Sequence, residues 1–420
     1  MGCSLKKEAG EEGIEMKHII LALGLSFFAC TSAYTVRQGE APPDAATEPM
    51  PVAPDAASAC IVVDPAVVGM GADPQIGGTR NGFALTRVVP NSDTYSQVSV
   101  DLLDAVGTVT KTYDSINLFE STYTPTVRVT GTGSSYIAQL TADWSSAIYR
   151  ESFFFLTDAS PPTFLLGQEI RSARILDGSN TAFWLQKGTD GCYQLYQGSV
   201  AVYGLIAPTP MGMDPPCATG TPEDYWQTIV AADAGGTEAL GLKTRSDMVP
   251  EAPAQIVLAV VNGVALRKVV LKEIPDQVGK SLELLDVVGV DDGYTVFWRY
   301  TEGSVQHHYM SYVPARSTGG GEPSETAELA FLNDTSGWVH RIVWNTLRIG
   351  MLYYDHRGGD AVFYSLDKKG ALLTTTPLTG FPPRDSSQGV RAQIAASGEI
   401  FGMIVTDWSK KIWFRPAICP

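Results

Sequence analysis

One pattern recurs along the chain and limits what it can fold into: an apolar strand, a tight turn, then a second strand rich in aromatic or aliphatic residues. It reads Val127–Leu140, Ala173–Leu185, Leu285–Trp298 and Ala392–Ile404. Gly, Asn, Asp and Ser fill the turns and β-branched and aromatic residues fill the flanks, which is hairpin chemistry. No segment after Ala59 sustains an apolar stripe at helical spacing. The second strands begin at Gly82, Tyr136, Thr181, Thr237, Tyr294, Ile349 and Glu399, about 53 residues apart on average. Each interval holds two further strand-like runs, as Ala361–Leu366 and Ala371–Thr376 show in the sixth.

Four strands per unit, repeated at this period, describe an all-β fold of radially arranged sheets. The expectation for 59–420 is a seven-bladed β-propeller with four-stranded blades, its ring closed by an N-terminal strand pairing with the last blade. A tandem of open sandwiches is the competing arrangement, and the lack of linker breaks between units disfavours it.

The cysteines test that closure. Cys60 opens the run Cys60–Asp64 and Cys419 ends the run Ile412–Cys419. If the first run is the outer strand beside the last, antiparallel pairing sets Cys60 next to Cys419. Cys192 and Cys217 fall at one face under the same assumption, so Cys60–Cys419 and Cys192–Cys217 are the expected disulfides, and both suit an oxidising, exported compartment. Four buried free thiols are the alternative.

The N-terminus reads as an export signal. Met1–Glu15 is polar and acid-rich, consistent with translation starting at Met16. Lys17 then leads an apolar run, Ile19–Ala29, too short to span a bilayer but suited to a signal peptide. Phe27-Phe28-Ala29-Cys30 resembles the lipobox of bacterial lipoproteins, although Phe27 and Phe28 depart from its usual Leu and small residue. The resemblance implies acylation of Cys30 and an outer-membrane or cell-surface location. Cleavage after Thr31-Ser32-Ala33 would instead give a soluble periplasmic or secreted protein. The tract 30–58 is rich in Pro and Ala and reads as a solvated tether. The expected organisation is thus 1–15 mis-started, 16–29 signal, 30–58 tether and 59–420 propeller.

Composition narrows the partners. Thirty Lys and Arg against 45 Asp and Glu leave a net charge of −15, which argues against nucleic acid because phosphate binding needs clustered cations. Hydrophobic residues at 44% and charged residues at 18% exclude a disordered chain.

The sequence holds no G-x-S-x-G elbow, no P-loop, no CxxC or HExxH, and no S-x-D-x-G-x-T-W box of the sialidase-like propellers. His307 and His308 are adjacent and point to opposite faces of a strand, so they do not make a two-ligand metal site. Asp291-Asp292-Gly293 reads as a tight turn. No cofactor, metal or catalytic residue is assigned.

The candidate binding residues follow the second strands: Asp143 and Trp144, Asp355, His356 and Arg357, and Asp407 and Trp408. Those turns share a face with the loops between blades. Each Asp has a plainer role as a turn cap and each Trp as packing between blades. The expected function is a monomeric, lipid-anchored envelope module that binds a protein or glycan or acts as a scaffold. The alternative is a propeller glycosidase or lyase acting on envelope or extracellular polysaccharide, which needs only two carboxylates that meet in space.

Overall fold

The computed structural model describes residues 59–420 apart from loop stretches, chiefly 144–148, 188–192, 212–225, 245–252, 316–324, 356–360 and 382–391, and single positions such as His340 and Trp408. Two short strands come first, β1 (Ile61–Val62) and β2 (Ala66–Met70). The first sheet follows with β3 (Ala72–Thr79), β4 (Gly82–Pro90), β5 (Tyr95–Leu103) and β6 (Val109–Glu120). The second holds β7 (Thr126–Thr132), β8 (Ser135–Asp143), β9 (Tyr149–Thr157) and β10 (Ser160–Leu166), and the third β11 (Ile170–Ile175), β12 (Thr181–Lys187), β13 (Tyr193–Ala201) and β14 (Gly204–Pro210). The fourth comprises β15 (Trp226–Ala234), β16 (Thr237–Thr244), β17 (Ala254–Asn262) and β18 (Ala265–Ile274). The fifth comprises β19 (Lys280–Val290), β20 (Gly293–Glu302), β21 (Val305–Pro314) and β22 (Glu325–Glu328).

In the sixth sheet the innermost strand is split into β23 (Gly337–Trp338) and β24 (Ile342–Trp344), both pairing with β25 (Ile349–Asp355), followed by β26 (Ala361–Leu366) and β27 (Leu372–Leu378). The last sheet contains β28 (Ala392–Ser397), β29 (Ile400–Thr406) and β30 (Lys411–Ile418), with β1 and β2 completing it on the outer side of β30. The second strands start at or within one residue of the seven positions read from the repeat.

Every strand pair is antiparallel and, apart from β1 and β2 on β30 and the split first strand of the sixth sheet, follows chain order, so the strands of a sheet run A to D from first to fourth. Turns A–B and C–D lie at one end of each sheet (the AB end). Turns B–C and the connections between sheets lie at the other (the BC end).

The core lies between sheets rather than at a single centre. Phe183 and Leu195 of the third sheet pack with Leu240 and Val257 of the fourth. Ile256 and Leu258 continue onto Tyr294 and Trp298 of the fifth, whose opposite face carries Phe297 and Met310 against Ile349 and Tyr364 of the sixth. Phe363 then meets Phe401 of the last sheet, and Phe414 of that sheet meets Phe83 of the first. Inner strand β3 also packs against β7, and β9 against β11. Central strands buried on both faces must be apolar almost throughout, and β29 is (Ile-Phe-Gly-Met-Ile-Val-Thr). Outer strands with one wet side alternate instead, as β27 does. This is a β-propeller of antiparallel blades.

Hydrogen bonds join neighbouring sheets at the AB end. Tyr294 Oη donates to the Thr237 carbonyl, Thr295 Oγ1 to Lys368, Asn345 Nδ2 to Glu399 and Ser397 Oγ to Thr79. The N-terminal strands are fastened to the last sheet in three ways. Ile61 pairs with Ile418, Cys60 is disulfide-bonded to Cys419, and the buried Arg415 donates to the Val63 and Thr379 carbonyls. Cys192, Cys217 and Cys30 lie outside the described residues.

Candidate functional site at the BC end

Asp143 closes β8 opposite Tyr149, and Asp355 closes β25 opposite Gly337, which sets both at the BC end of their sheets. Trp144, His356, Arg357 and Trp408 lie outside the described residues. Among the seven expected binding residues, the side chain of Asp407 is the one described. Its Oδ1 accepts the N–H of Ser409 (2.8 Å) and Lys411 (2.9 Å) and the Ser409 hydroxyl (2.6 Å), while Oδ2 accepts the Trp413 indole N–H at 3.2 Å. Burial works to raise this carboxyl, but the bonds from Ser409, Trp413 and Lys411 outweigh it and hold the pKa below the usual value.

The same turn occurs twice more. Asp104 accepts the N–H of Val106 and Thr108, and Asp367 accepts those of Lys369 and Ala371. In all three, the residue three positions on has a positive φ: Gly107 at 93°, Gly370 at 92° and Lys410 at 61°. An Asp that satisfies two turn amides this way is a folding device.

A second BC-end group stands out in the fifth sheet. Strands β20 and β21 alternate, so Trp298 and Tyr300 share a face with His307 and Tyr309, and the register sets Trp298 opposite Tyr309 and Tyr300 opposite His307. The Trp298 and Tyr309 rings stack 4.4 Å apart and Tyr300 and His307 6.3 Å apart, while His307 and Tyr309 lie tilted to each other at 6.5 Å. Trp298 is buried and donates to Ser311 Oγ, while Tyr300, His307 and Tyr309 are half-buried.

Polar groups border these rings. His307 Nδ1 lies 2.9 Å from Glu328 Oε1, which also accepts Asn333 Nδ2 at 2.6 Å. Tyr300 Oη donates to Glu302, which pairs with Lys280 at 3.3 Å. The His307 and Asn333 contacts hold the Glu328 carboxyl below its ordinary pKa, and Tyr300 and Lys280 do the same for Glu302. Both are therefore anionic acceptors at neutral pH. Burial raises the Tyr309 phenol, keeping it a neutral donor.

His308, one residue along, faces the other way and is buried with Nδ1 unpartnered. Desolvation, then the charges of Arg299 and His307, lower its pKa to about 4. The two histidines thus occupy opposite faces, as strand alternation requires. Asp292 is held in its turn by Lys368 at 2.8 Å and by the Tyr312 hydroxyl. Among the described residues no three His, Cys, Asp or Glu side chains converge on one point. The aromatic ladder was written in the sequence as Tyr300 two residues from Trp298 and Tyr309 two from His307. What hid it was the cross-strand register, which fixes which ring faces which.

No family model matches the chain, and no curated protein does. Solved structures resemble it at low identity. The β-propeller domain of the Trilobed protease from Pyrococcus furiosus aligns at 10% identity and TM-score 0.46 over 85% of this chain and 95% of that one. The Swd1 β-propeller domain of Myceliophteria thermophila aligns at 9% and 0.48 over 86% and 100%. A puromycin-hydrolyzing peptidase of Mycobacterium tuberculosis aligns at 10% and 0.44 over 84% of this chain and half of that one. At these values the comparison carries no functional argument.

Proposed function

We propose that the chain is an exported, monomeric cell-envelope protein, lipid-anchored at Cys30, whose propeller of seven blades, closed by β1 and β2, binds glycan at the BC end. The observation that carries this reading is the half-buried ladder Tyr300–His307–Tyr309, bordered by Glu328, Asn333 and Glu302. Aromatic faces offer large, rigid contact area, and the neighbouring carboxylates and amide accept and donate to hydroxyl groups. The Cys60–Cys419 bond supports an oxidising compartment. Pairing of β1 and β2 with β30, together with the sheet order, supports the blade count and closure.

Binding at the BC end is favoured over catalysis there by the state of its described carboxylates, while Glu238, whose carboxyl burial raises, lies near the start of β16 at the AB end. Asp407 caps a turn, and Glu328 and Glu302 are held in the anionic form by their hydrogen-bond and cationic partners. A glycosidase acid needs a raised pKa instead. The test is incubation of the purified chain with envelope oligosaccharides and peptidoglycan fragments, followed by mass analysis of bound and free sugar. Bound, unchanged oligosaccharide is expected. Cleaved or unsaturated product would replace the binding reading with the hydrolase or lyase reading.

A further inference from the structure

Twelve large apolar side chains are exposed among the described residues, and seven of them gather at the AB end of three consecutive sheets. In the sixth sheet they are Leu347, in the A–B turn, and Leu372 and Leu373, which open β27 just after the C–D turn. In the last sheet they are Ile61 and Ile418, which face each other as a strand pair. In the first sheet they are Val106, in the C–D turn, and Val109, the opening residue of β6. Leu347, Val106 and Ile61 are between 51% and 64% exposed.

Contacts across the sheet boundaries tie together the turns that carry these three groups. Arg348, next to Leu347, donates to the Pro420 carbonyl at 2.7 Å and reaches Cys60 Sγ at 3.9 Å. Asn345, in the same turn, donates to Glu399 at the AB end of the last sheet. Gly107, next to Val106, lies against the Phe414 ring of the last sheet. Apolar side chains exposed at the same end of three neighbouring sheets mark a candidate contact surface.

The covalent path of the chain points to its occupant. Cys60 lies at this end, bonded to Cys419, so the chain that precedes Ala59 joins the propeller beside Ile61 and Leu347. The 28 residues Thr31–Ser58 limit the separation between Cys30 and this end to at most roughly 100 Å. A bilayer holding Cys30 within that range presents its surface to this end at a local concentration near millimolar order, enough for weak apolar contacts to hold. Of the nearby lysines, Lys368 is paired with Asp292, Lys369 with Glu325, and Lys111 lies over the Tyr113 ring at 4.5 Å, so each is already engaged rather than set out to select an anionic lipid. An uncharged, zwitterionic lipid surface fits it.

We propose that the AB end of the sixth, last and first sheets lies against the bilayer, with Leu347, Leu372 and Val106 reaching the interfacial region, so that the BC end points away from the membrane. The orientation rests on the lipid-anchor reading, and the two are tested by separate signals.

The full chain, purified from the membrane fraction of an expressing bacterium, is placed on phosphatidylcholine vesicles doped with a lipid carrying a photoreactive acyl chain. After illumination, cross-linked residues are mapped by mass spectrometry, and labelled palmitate incorporation is read at Cys30. Adducts several-fold more abundant at Leu347, Leu372–Leu373 and Val106 than at Val305, on the BC end, support the orientation. In the variant L347S/L372S/V106S these adducts should fall several-fold while the thermal melt stays within a few degrees of the parent, which keeps misfolding apart from lost contact. Acylated Cys30 with adducts at Val305, spread evenly or nowhere overturns the orientation and leaves the anchor standing. Adducts at the AB end without acylation keep the surface and remove the anchor. Neither signal removes both.

Discussion

Gly78 of β3 lies so close to Ala396 of β28 that a Cβ built on it would sit 1.6 Å from the Ala396 carbonyl oxygen. Innermost strands of neighbouring sheets converge here, and only a residue without a side chain admits the approach. Gly289 of β19 stands in the same relation to Asp233 of β15, at 1.4 Å. Substituting either glycine by alanine forces backbone apart, with an expected loss of about 3 kcal/mol or more. Gly69→Ala is the control, because its nearest neighbour would be the flexible Arg87 side chain at 3.4 Å. Urea melts should show a marked loss for G78A and G289A and little for G69A. Equal, small effects for all three would mean that the inner strands are not so tightly set.

The Cys60–Cys419 bond closes a loop with a sequence separation of 359. Loop-closure entropy puts its contribution on the order of 5 kcal/mol. Reduction, or the double substitution C60S/C419S, should lower the urea midpoint substantially. Exchange should rise first in β1 and β2, the strands whose start the bond ties to the end of β30. A midpoint that does not move on reduction would mean that strand pairing and Arg415 fasten the N-terminal strands unaided.

Asp407→Ala removes the acceptor for two backbone amides and the Trp413 indole, with an expected cost of about 1–3 kcal/mol. The carboxyl has a folded pKa below its unfolded value, so its stabilising share is whole above the unfolded value and is lost as pH falls through the folded one. The difference in melting temperature between parent and D407A should therefore shrink on acidification below about pH 4. A constant difference across that range would assign the effect to packing rather than to the charge.

His308 gives the opposite kind of test. It is neutral in the fold, with a pKa of about 4, against about 6.5 in an unfolded chain. Between those values the unfolded state takes up the proton and the folded state does not, so stability falls as pH drops from about 6.5 to about 4 and levels off below. The penalty at pH 4 is up to about 3 kcal/mol. His308→Phe, which keeps a ring stacked near Phe297, should lose that slope. Parallel pH profiles for parent and H308F would contradict the assignment.

The strand plan was legible because it rests on local chemistry. Hairpin turns such as Asp-Gly-Ser-Asn after Leu176 and Asp-Asp-Gly before Tyr294 mark where second strands begin, and apolar runs buried on both faces mark the central strands. The Cys60–Cys419 pair followed once the first and last runs were read as neighbours. Pairwise geometry across strands was not legible. Tyr300, His307 and Tyr309 belong together through register, and Asp407 is spent on its own turn through hydrogen bonds that no spacing announces. The AB-end apolar surface was equally silent, since Leu347, Leu372, Ile61 and Val106 come from three sheets and meet only in space.

The most direct test of the binding account is titration calorimetry of the full chain with envelope oligosaccharide, repeated on Y300A, on Y309A and on D407A as a control outside the ladder. The account predicts measurable binding that weakens about tenfold or more in each tyrosine variant, the scale of one lost aromatic contact, while D407A binds like the parent. Binding that is unchanged in Y300A and Y309A, or oligosaccharide that does not bind the parent at all, would contradict it.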